Sequence, residues 1–168
     1  EGLDIYCPVI ATGDKLVVDH CLFYGCHASA VFWDGLEAGS YKNNAMRSCI
    51  VNGGLISGVW TCKTDDNFEF HNNVINDTEF FWMRKKINKP KKYKIEDCVI
   101  NAKNYSGYGI ETGATGLTGA EVTYDEKNVI KSKHVVLVKD EKAKDYMHVA
   151  PGTLGSKLGA GLFKKKLK

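Results

Sequence analysis

The sequence predicts an all-β protein: a parallel β-helix solenoid of about four to five coils, followed by an irregular C-terminal segment. Three observations predict it. A short apolar strand pattern recurs about every 25 residues, equivalent positions hold similar residue types, and glycine and asparagine follow the strands. Repeats of this length, without the pattern of a helical repeat, indicate stacked coils. A length of 168 residues with 43% hydrophobic residues suits one domain with a core.

The repeat is clearest in four aligned segments: "LVVDHCLFYG" (16–25), "NAMRSCIVNG" (44–53), "FEFHNNVIND" (68–77) and "YKIEDCVINA" (93–102). Stacked coils place like residues about 4.8 Å apart, one strand spacing. We therefore expect one apolar column to be buried along one side of the core: Val18, Met46, Phe70 and Ile95. Two corner columns read Cys21, Cys49, Asn73, Cys98 and Tyr24, Asn52, Asn76, Asn101. The alternative is an antiparallel sandwich whose strands are alike by chance.

A second strand follows each copy: "AVFWD" (30–34), "GVWTC" (58–62), "FFWMR" (80–84) and "GIETG" (109–113). Because side chains alternate along a strand, Phe32, Trp60 and Trp82 should point outward as one stack of rings. The residues expected beside that stack are Tyr6, Asp34, Arg84 and Glu111. An exposed aromatic row indicates contact with a ligand, with a partner, or with the C-terminal segment folded over it.

The motifs "IEDCVIN" and "FHNNVIN" resemble the repeat of the right-handed parallel β-helix proteins of the pectate-lyase-like superfamily. The resemblance covers residues 1–113. Residues 114–168 are then a C-terminal capping segment with a basic tail, and "DYMHVAPGTLGSKLGAGLF" (145–163) partly resembles the ending of secreted bacterial β-helix proteins. The resemblance implies a carbohydrate groove on the second-strand face and a secreted or cell-surface location.

Candidate catalytic groups lie on the second strands and in the loops after them. Asp34, Asp65 and Asp66 could supply the two carboxylates that glycoside hydrolysis needs. Uronate β-elimination needs a base and a cation, for which Arg84 and Lys85 are candidates. Lys86 would bind substrate, and the resemblance implies that Asp65 and Asp66 could hold Ca²⁺. Solvated aspartates in a loop explain the same residues without chemistry.

Basic residues concentrate in "RKKINKPKKYK" (84–94), expected as a loop, and in "KKKLK" at the end of the chain. They indicate attraction to a polyanion, or simply a solvated loop and tail. No nucleic-acid module is visible, so an acidic polysaccharide is the expected partner. Because the chain begins inside a coil, further N-terminal coils or a partner chain are also expected. Two functions remain open: a polysaccharide lyase or hydrolase, and a non-catalytic glycan-binding, adhesive or assembly module.

Overall fold

The computed structural model describes residues 7–26, 29–33, 41–61, 67–84, 91–108 and 122–161. Nearly all regular structure in them is β-strand, apart from one 3-10 turn at Ser156–Leu158. The strands are β1 Val9–Ala11, β2 Val17–Asp19, β3 Leu22–Cys26, β4 Ser29–Trp33, β5 Ala45–Arg47, β6 Ile50–Thr61, β7 Glu69–His71, β8 Val74–Arg84, β9 Lys91–Glu96, β10 Val99–Tyr108, β11 Val122–Lys127 and β12 Ile130–Lys131.

The strands form two sheets in which every neighbouring pair runs parallel. Sheet A has the order β1-β4-β6-β8-β10-β12, with β3 also paired to β6. Sheet B has the order β2-β5-β7-β9-β11. Each strand of sheet B is followed along the chain by a strand of sheet A, and neighbours in a sheet come from successive copies of the repeat. The all-β prediction is confirmed, and parallel pairing of neighbouring copies excludes the antiparallel sandwich.

The predicted apolar column is buried in the predicted register. Val18 pairs with Met46, Met46 with Phe70, and Phe70 with Ile95. Their exposed fractions are 9%, 0%, 1% and 0% in that order. The column therefore lies inside the stack, in one cluster with the inward column of sheet A: Phe23, Val51, Ile75 and Ile100.

Each copy turns from sheet B into sheet A at a residue with positive φ. These corner residues are His20, Ser48, Asn72, Asp97 and Asn128, with φ of 51° to 58°. Asparagine and aspartate tolerate this left-handed conformation better than other residues with a Cβ. The next residue enters the core, where Cys49, Asn73 and Cys98 are fully buried. The corner at Asn72-Asn73 is thus one of a row of stacked corners, one from each copy of the repeat.

Asn73 holds this edge together by bonding to the neighbouring level. Its Oδ1 accepts from the Cys49 backbone N–H at 2.9 Å, and its Nδ2 donates to the Met46 carbonyl at 2.9 Å. Cys49 and Cys98 occupy the same column as free thiols. Burial raises the pKa of each to about 12, so both stay protonated at neutral pH.

Both sheets continue past residue 113, the predicted end of the coils. β11 pairs with β9 through Tyr124 and Tyr93, and β12 pairs with β10 through Ile130 and Val99. Residues 122–131 are therefore a fifth copy of the repeat, within the range that was predicted to be an irregular C-terminal segment. The sequence conceals this copy because Glu126 and Lys131 occupy two of its inward positions, although Tyr124 and Val129 still pack against the core.

Residues 135–161, here called the docked segment, fold back over the outer side of sheet A. Leu137, Met147 and Ala160 pack on a row of fully buried side chains that face away from the core. We call this the covered row: Ile50, Val74 and Val99. Two glycines permit the close approach: a Cβ would lie 2.9 Å from Val99 Cγ2 at Gly155 and 3.1 Å from Ile50 Cδ1 at Gly161.

Candidate functional site

Most of the predicted site residues lie outside the described part of the chain, so their roles stay predictions. They are the catalytic candidates Asp34, Asp65, Asp66 and Lys85 and the binding candidates Tyr6, Lys86 and Glu111. The strands of sheet A include Phe32, Trp60, Trp82 and Arg84, for which the structure describes the backbone.

The predicted stack of Phe32, Trp60 and Trp82 is wrong, because the backbone register does not place Trp82 beside Trp60. Phe32 pairs with Trp60 as expected, but Trp60 pairs with Met83 and Val59 with Trp82. The cause is a register shift between Gly54 and Ser57, where β6 contains one residue more than β8. A one-residue shift exchanges the two faces of a strand. Trp60 and Trp82 are therefore not at equivalent positions of consecutive copies.

A different row of side chains, on the first half of the sheet A strands, forms the candidate site. Asn52, Asn76 and Asn101 are paired in register, and we call them the amide row. The Asn76 amide donates to Asn52 Oδ1 at 2.7 Å, and the Asn101 amide donates to Asn76 Oδ1 at 2.9 Å. Each bond uses one of the two amide hydrogens, so hydrogen-bonding capacity remains on this half-buried row. Tyr24 continues the row at the first copy and is 72% exposed.

The docked segment converts this row into a cleft. It supplies the opposite wall through Val136, Lys139, Glu141 and Tyr146, and the volume of the cleft is about 600 Å³. A cleft of this size falls within the range of small-ligand sites. The amide row was visible in the sequence as a column, but it was interpreted as a structural corner. The opposite wall had no sequence signal, because its position depends on how the docked segment folds back.

Charged groups are sparse in the cleft. Its lining contains one cation, Lys139, and two carboxylates, Asp77 and Glu141. Asp77 directly follows Asn76 and adopts φ 57°. The same position in the two preceding copies is occupied by Gly25 and Gly53, both also with positive φ. The left-handed turn thus carries a carboxylate in this copy alone of the three.

The basic run at 84–94 is only partly described. Its last four residues belong to β9 and not to a loop. On the outer side of sheet B, Lys94 pairs in register with Glu69 on one side and Asp125 on the other. Lys92 Nζ lies 3.6 Å from Asp125 Oδ2. Here the lysines alternate with carboxylates, an arrangement that stabilises strand pairing and does not concentrate positive charge.

The described residues contain no cluster of three or more His, Cys, Asp or Glu side chains suited to a metal ion. The residues expected to hold Ca²⁺, Asp65 and Asp66, fall outside that part of the chain. Across the described ranges, no helix has the length and apolar character needed to cross a membrane.

The fold and the cleft define an all-β protein of stacked parallel sheets, compatible with a β-helix-like solenoid, with a polar cleft between one sheet and the chain that folds back over it. No protein-family model, curated protein or solved structure matches this chain.

Proposed function

We propose that the protein is a right-handed parallel β-helix of about four to five coils that binds a glycan outside the cell. The finer fold assignment is supported by strictly parallel pairing between successive copies and by the repeated left-handed corner. It is the architecture of the pectate-lyase-like superfamily that the repeat resembles. Glycan binding is the non-catalytic function that the sequence left open. The sequence placed it on the second-strand face, whereas the proposed site is the cleft beside the amide row.

The observation that carries the proposal is the amide row, which forms one wall of a cleft of about 600 Å³. Sugars offer hydroxyl groups that both donate and accept hydrogen bonds, and side-chain amides do the same. Sugars also present a C–H face, and Tyr24 offers an exposed ring at the end of the row. Amides one strand spacing apart suit an extended chain lying along the row, with successive sugars meeting successive amides.

The charges of the cleft favour a neutral glycan over the acidic one expected from the basic run. Two carboxylates and one lysine give its lining a net charge of −1. An acidic polysaccharide would be repelled by Asp77 and Glu141, whereas a neutral chain could donate hydroxyl hydrogens to both. The described lysines of β9 lie on the other sheet, beside carboxylates.

Calorimetric titration with neutral and acidic oligosaccharides of increasing length tests the proposal. Affinity for a neutral chain should rise with chain length and then level off once the cleft is filled. Asn76→Ala should weaken binding about tenfold, because a lost hydrogen bond of about 1.4 kcal/mol changes affinity by that factor. Asn128→Ala is the matched control, since Asn128 also bonds to the neighbouring copy, through Asp97 Oδ1 at 2.9 Å, but does not line the cleft. Equal effects of both variants, or no binding by any glycan, would remove the function from this cleft.

A second candidate function, glycoside hydrolysis, is favoured by one observation. Asp77 and Glu141 lie on opposite walls of the same cleft, and hydrolysis uses a pair of carboxyl groups on either side of the bond. Turnover of the bound glycan that is abolished by Asp77→Asn, with binding retained, would establish the enzyme. Binding without turnover would leave the non-catalytic module. Release of an unsaturated product from an acidic polysaccharide would instead support the lyase predicted from Arg84 and Lys85.

A further inference from the structure

A second, smaller depression lies beside the amide row, and we call it the shelf. Its volume is about 330 Å³, and its lining includes Gly25, Gly53, Asp77, Glu79 and Lys103. Asp77 also lines the cleft, so the two depressions are contiguous. Along each strand the covered row precedes the amide row and the shelf residues follow it. The docked segment and the shelf therefore lie on opposite sides of the amide row.

The floor of the shelf is bare backbone. Gly25 and Gly53 each directly follow a residue of the line formed by Tyr24 and the amide row, and their φ angles are 61° and 72°. Among the described residues, a Cβ at Gly25 would meet nothing within 4 Å, and one at Gly53 would meet the Gly25 backbone at 3.7 Å. In the next copy Asp77 takes this position and closes one end of the shelf. Because glycine permits close approach to the main chain, the space left by two absent side chains suits a flat ring.

Charged side chains held in place form the rim of the shelf. Lys103 Nζ lies 2.7 Å from Glu79 Oε2, and the Asn104 amide donates to Glu79 Oε1 at 3.2 Å. The neighbouring copy therefore fixes both carboxylate oxygens of Glu79, and each oxygen keeps a lone pair for a ligand. With Asp77, the described lining has two carboxylates and one lysine, a net charge of −1. This is the same net charge as in the cleft, and it again favours a neutral ligand with hydroxyl groups.

We propose that the glycan bound in the cleft is branched, with its main chain along the amide row and a side sugar on the shelf. The inference rests on the proposed glycan binding. A linear chain along the row runs across the strands, and the shelf lies beside that path, so a substituent on the chain is what reaches it. Asp77 lines both depressions, which puts it at the branch point. Glu79 and Lys103 then hydrogen-bond the hydroxyl groups of the side sugar.

Calorimetric titration of the full chain with matched linear and branched glycans tests the proposal. The probes are linear manno-oligosaccharides against the same chains with one galactose branch, and linear gluco-oligosaccharides against the same chains with one xylose branch. In at least one pair the branched member should bind about tenfold more tightly, the effect of about one net hydrogen bond. Binding of linear chains with no preference for a branch would overturn this inference and leave the proposed function standing. No binding of either pair would remove both.

Two variants assign the preference to the shelf. Gly25→Asn keeps a residue that tolerates positive φ and fills the open space, so it should abolish the preference for the branch without changing affinity for the linear chain. Gly152→Asn is the matched control, because Gly152 has φ 77° and a Cβ there also meets nothing within 4 Å among the described residues.

Lys103→Ala makes the result independent of any folding defect in Gly25→Asn, since the Lys103 side chain is 73% exposed. It should weaken binding of the branched glycan alone. Lys131→Ala is its control, because Lys131 Nζ lies 2.8 Å from Glu126 Oε1 in a similar ion pair that lines neither depression. Equal weakening of linear and branched chains by Lys103→Ala, or a branch preference that survives both Gly25→Asn and Lys103→Ala, would contradict the proposal.

Discussion

The outer faces of the two sheets come from the same repeat, but one is covered by the docked segment and the other is exposed to solvent. On sheet A the outward row Ile50, Val74 and Val99 is fully buried, because the docked segment lies over it. On sheet B the equivalent surface stays in solvent and carries charged residues, with Arg47 Nε bonded to Asp19 Oδ2 at 3.0 Å. The inward columns of both sheets are apolar, so they do not distinguish the two outer faces. The outward residues therefore decide which face the docked segment packs against, and this in turn decides where a cleft can form.

Val74→Asp should have the largest effect on the difference between the two faces, because it should uncover the outer face of sheet A. A carboxylate in the covered row would be buried against apolar side chains without a partner, at a cost of about 2–5 kcal/mol. We expect the docked segment to detach, which urea unfolding and hydrogen exchange of residues 135–161 would detect. Glu69→Gln, in the same copy but on the open face of sheet B, should change stability by less than about 0.5 kcal/mol. Similar losses for both variants would mean that the two faces are not energetically distinct.

A pair of glycine variants sharpens the comparison by testing contact alone. Gly152 and Gly155 both lie in the docked segment with positive φ, 77° and 86°, so alanine strains the backbone similarly at each. A Cβ at Gly152 meets nothing within 4 Å, whereas one at Gly155 would lie 2.9 Å from Val99 Cγ2. Gly155→Ala should therefore cost about 1–3 kcal/mol more than Gly152→Ala. Equal melting temperatures would show that the segment does not depend on this close approach.

Arg47→Ala tests the open face, where the smallest effect is expected: about 0–1 kcal/mol, decreasing with salt. Burial acts to raise the pKa of Asp19, but the hydrogen bonds and charges of Arg47 and, to a smaller extent, His20 together outweigh it and lower that pKa below its ordinary value of 3.8. A lowered carboxyl pKa stabilises the fold above the ordinary value, and this contribution is lost as the pH falls through the folded-state pKa. The stability difference between the variant and the parent should therefore be present at pH 7 and disappear in acid. A difference that grows as the pH falls would contradict this origin.

The inward residues were predictable from the sequence, and the outward ones were only partly so. Val18, Met46, Phe70 and Ile95 are buried as expected, because stacked copies must place like residues over one another. The Trp60–Trp82 equivalence failed because one extra residue between Gly54 and Ser57 shifts the register. No residue pattern marks such a bulge, so motifs that align on either side of it conceal the shift in register.

The fifth copy and the docked segment were missed for a related reason. A copy is recognised by its apolar inward columns, and in residues 122–131 two of those columns hold Glu126 and Lys131. The covered row is apolar in three successive copies, but a pattern of valine and isoleucine does not say what covers it.

The sequence by itself determined the repeat, its parallel stacking and its inward columns, since these follow from the spacing of apolar residues along a strand and between neighbouring copies. Only the tertiary structure decided the candidate site. The cleft requires Asn52, Asn76 and Asn101 to face Lys139, Glu141 and Tyr146 across a gap. That approach is stabilised by burial of Ile50, Val74 and Val99 beneath Leu137 and Met147, contacts between residues distant in the chain. Burial of apolar area is non-directional, so the final position of the docked segment depends on close contacts such as that between Gly155 and Val99.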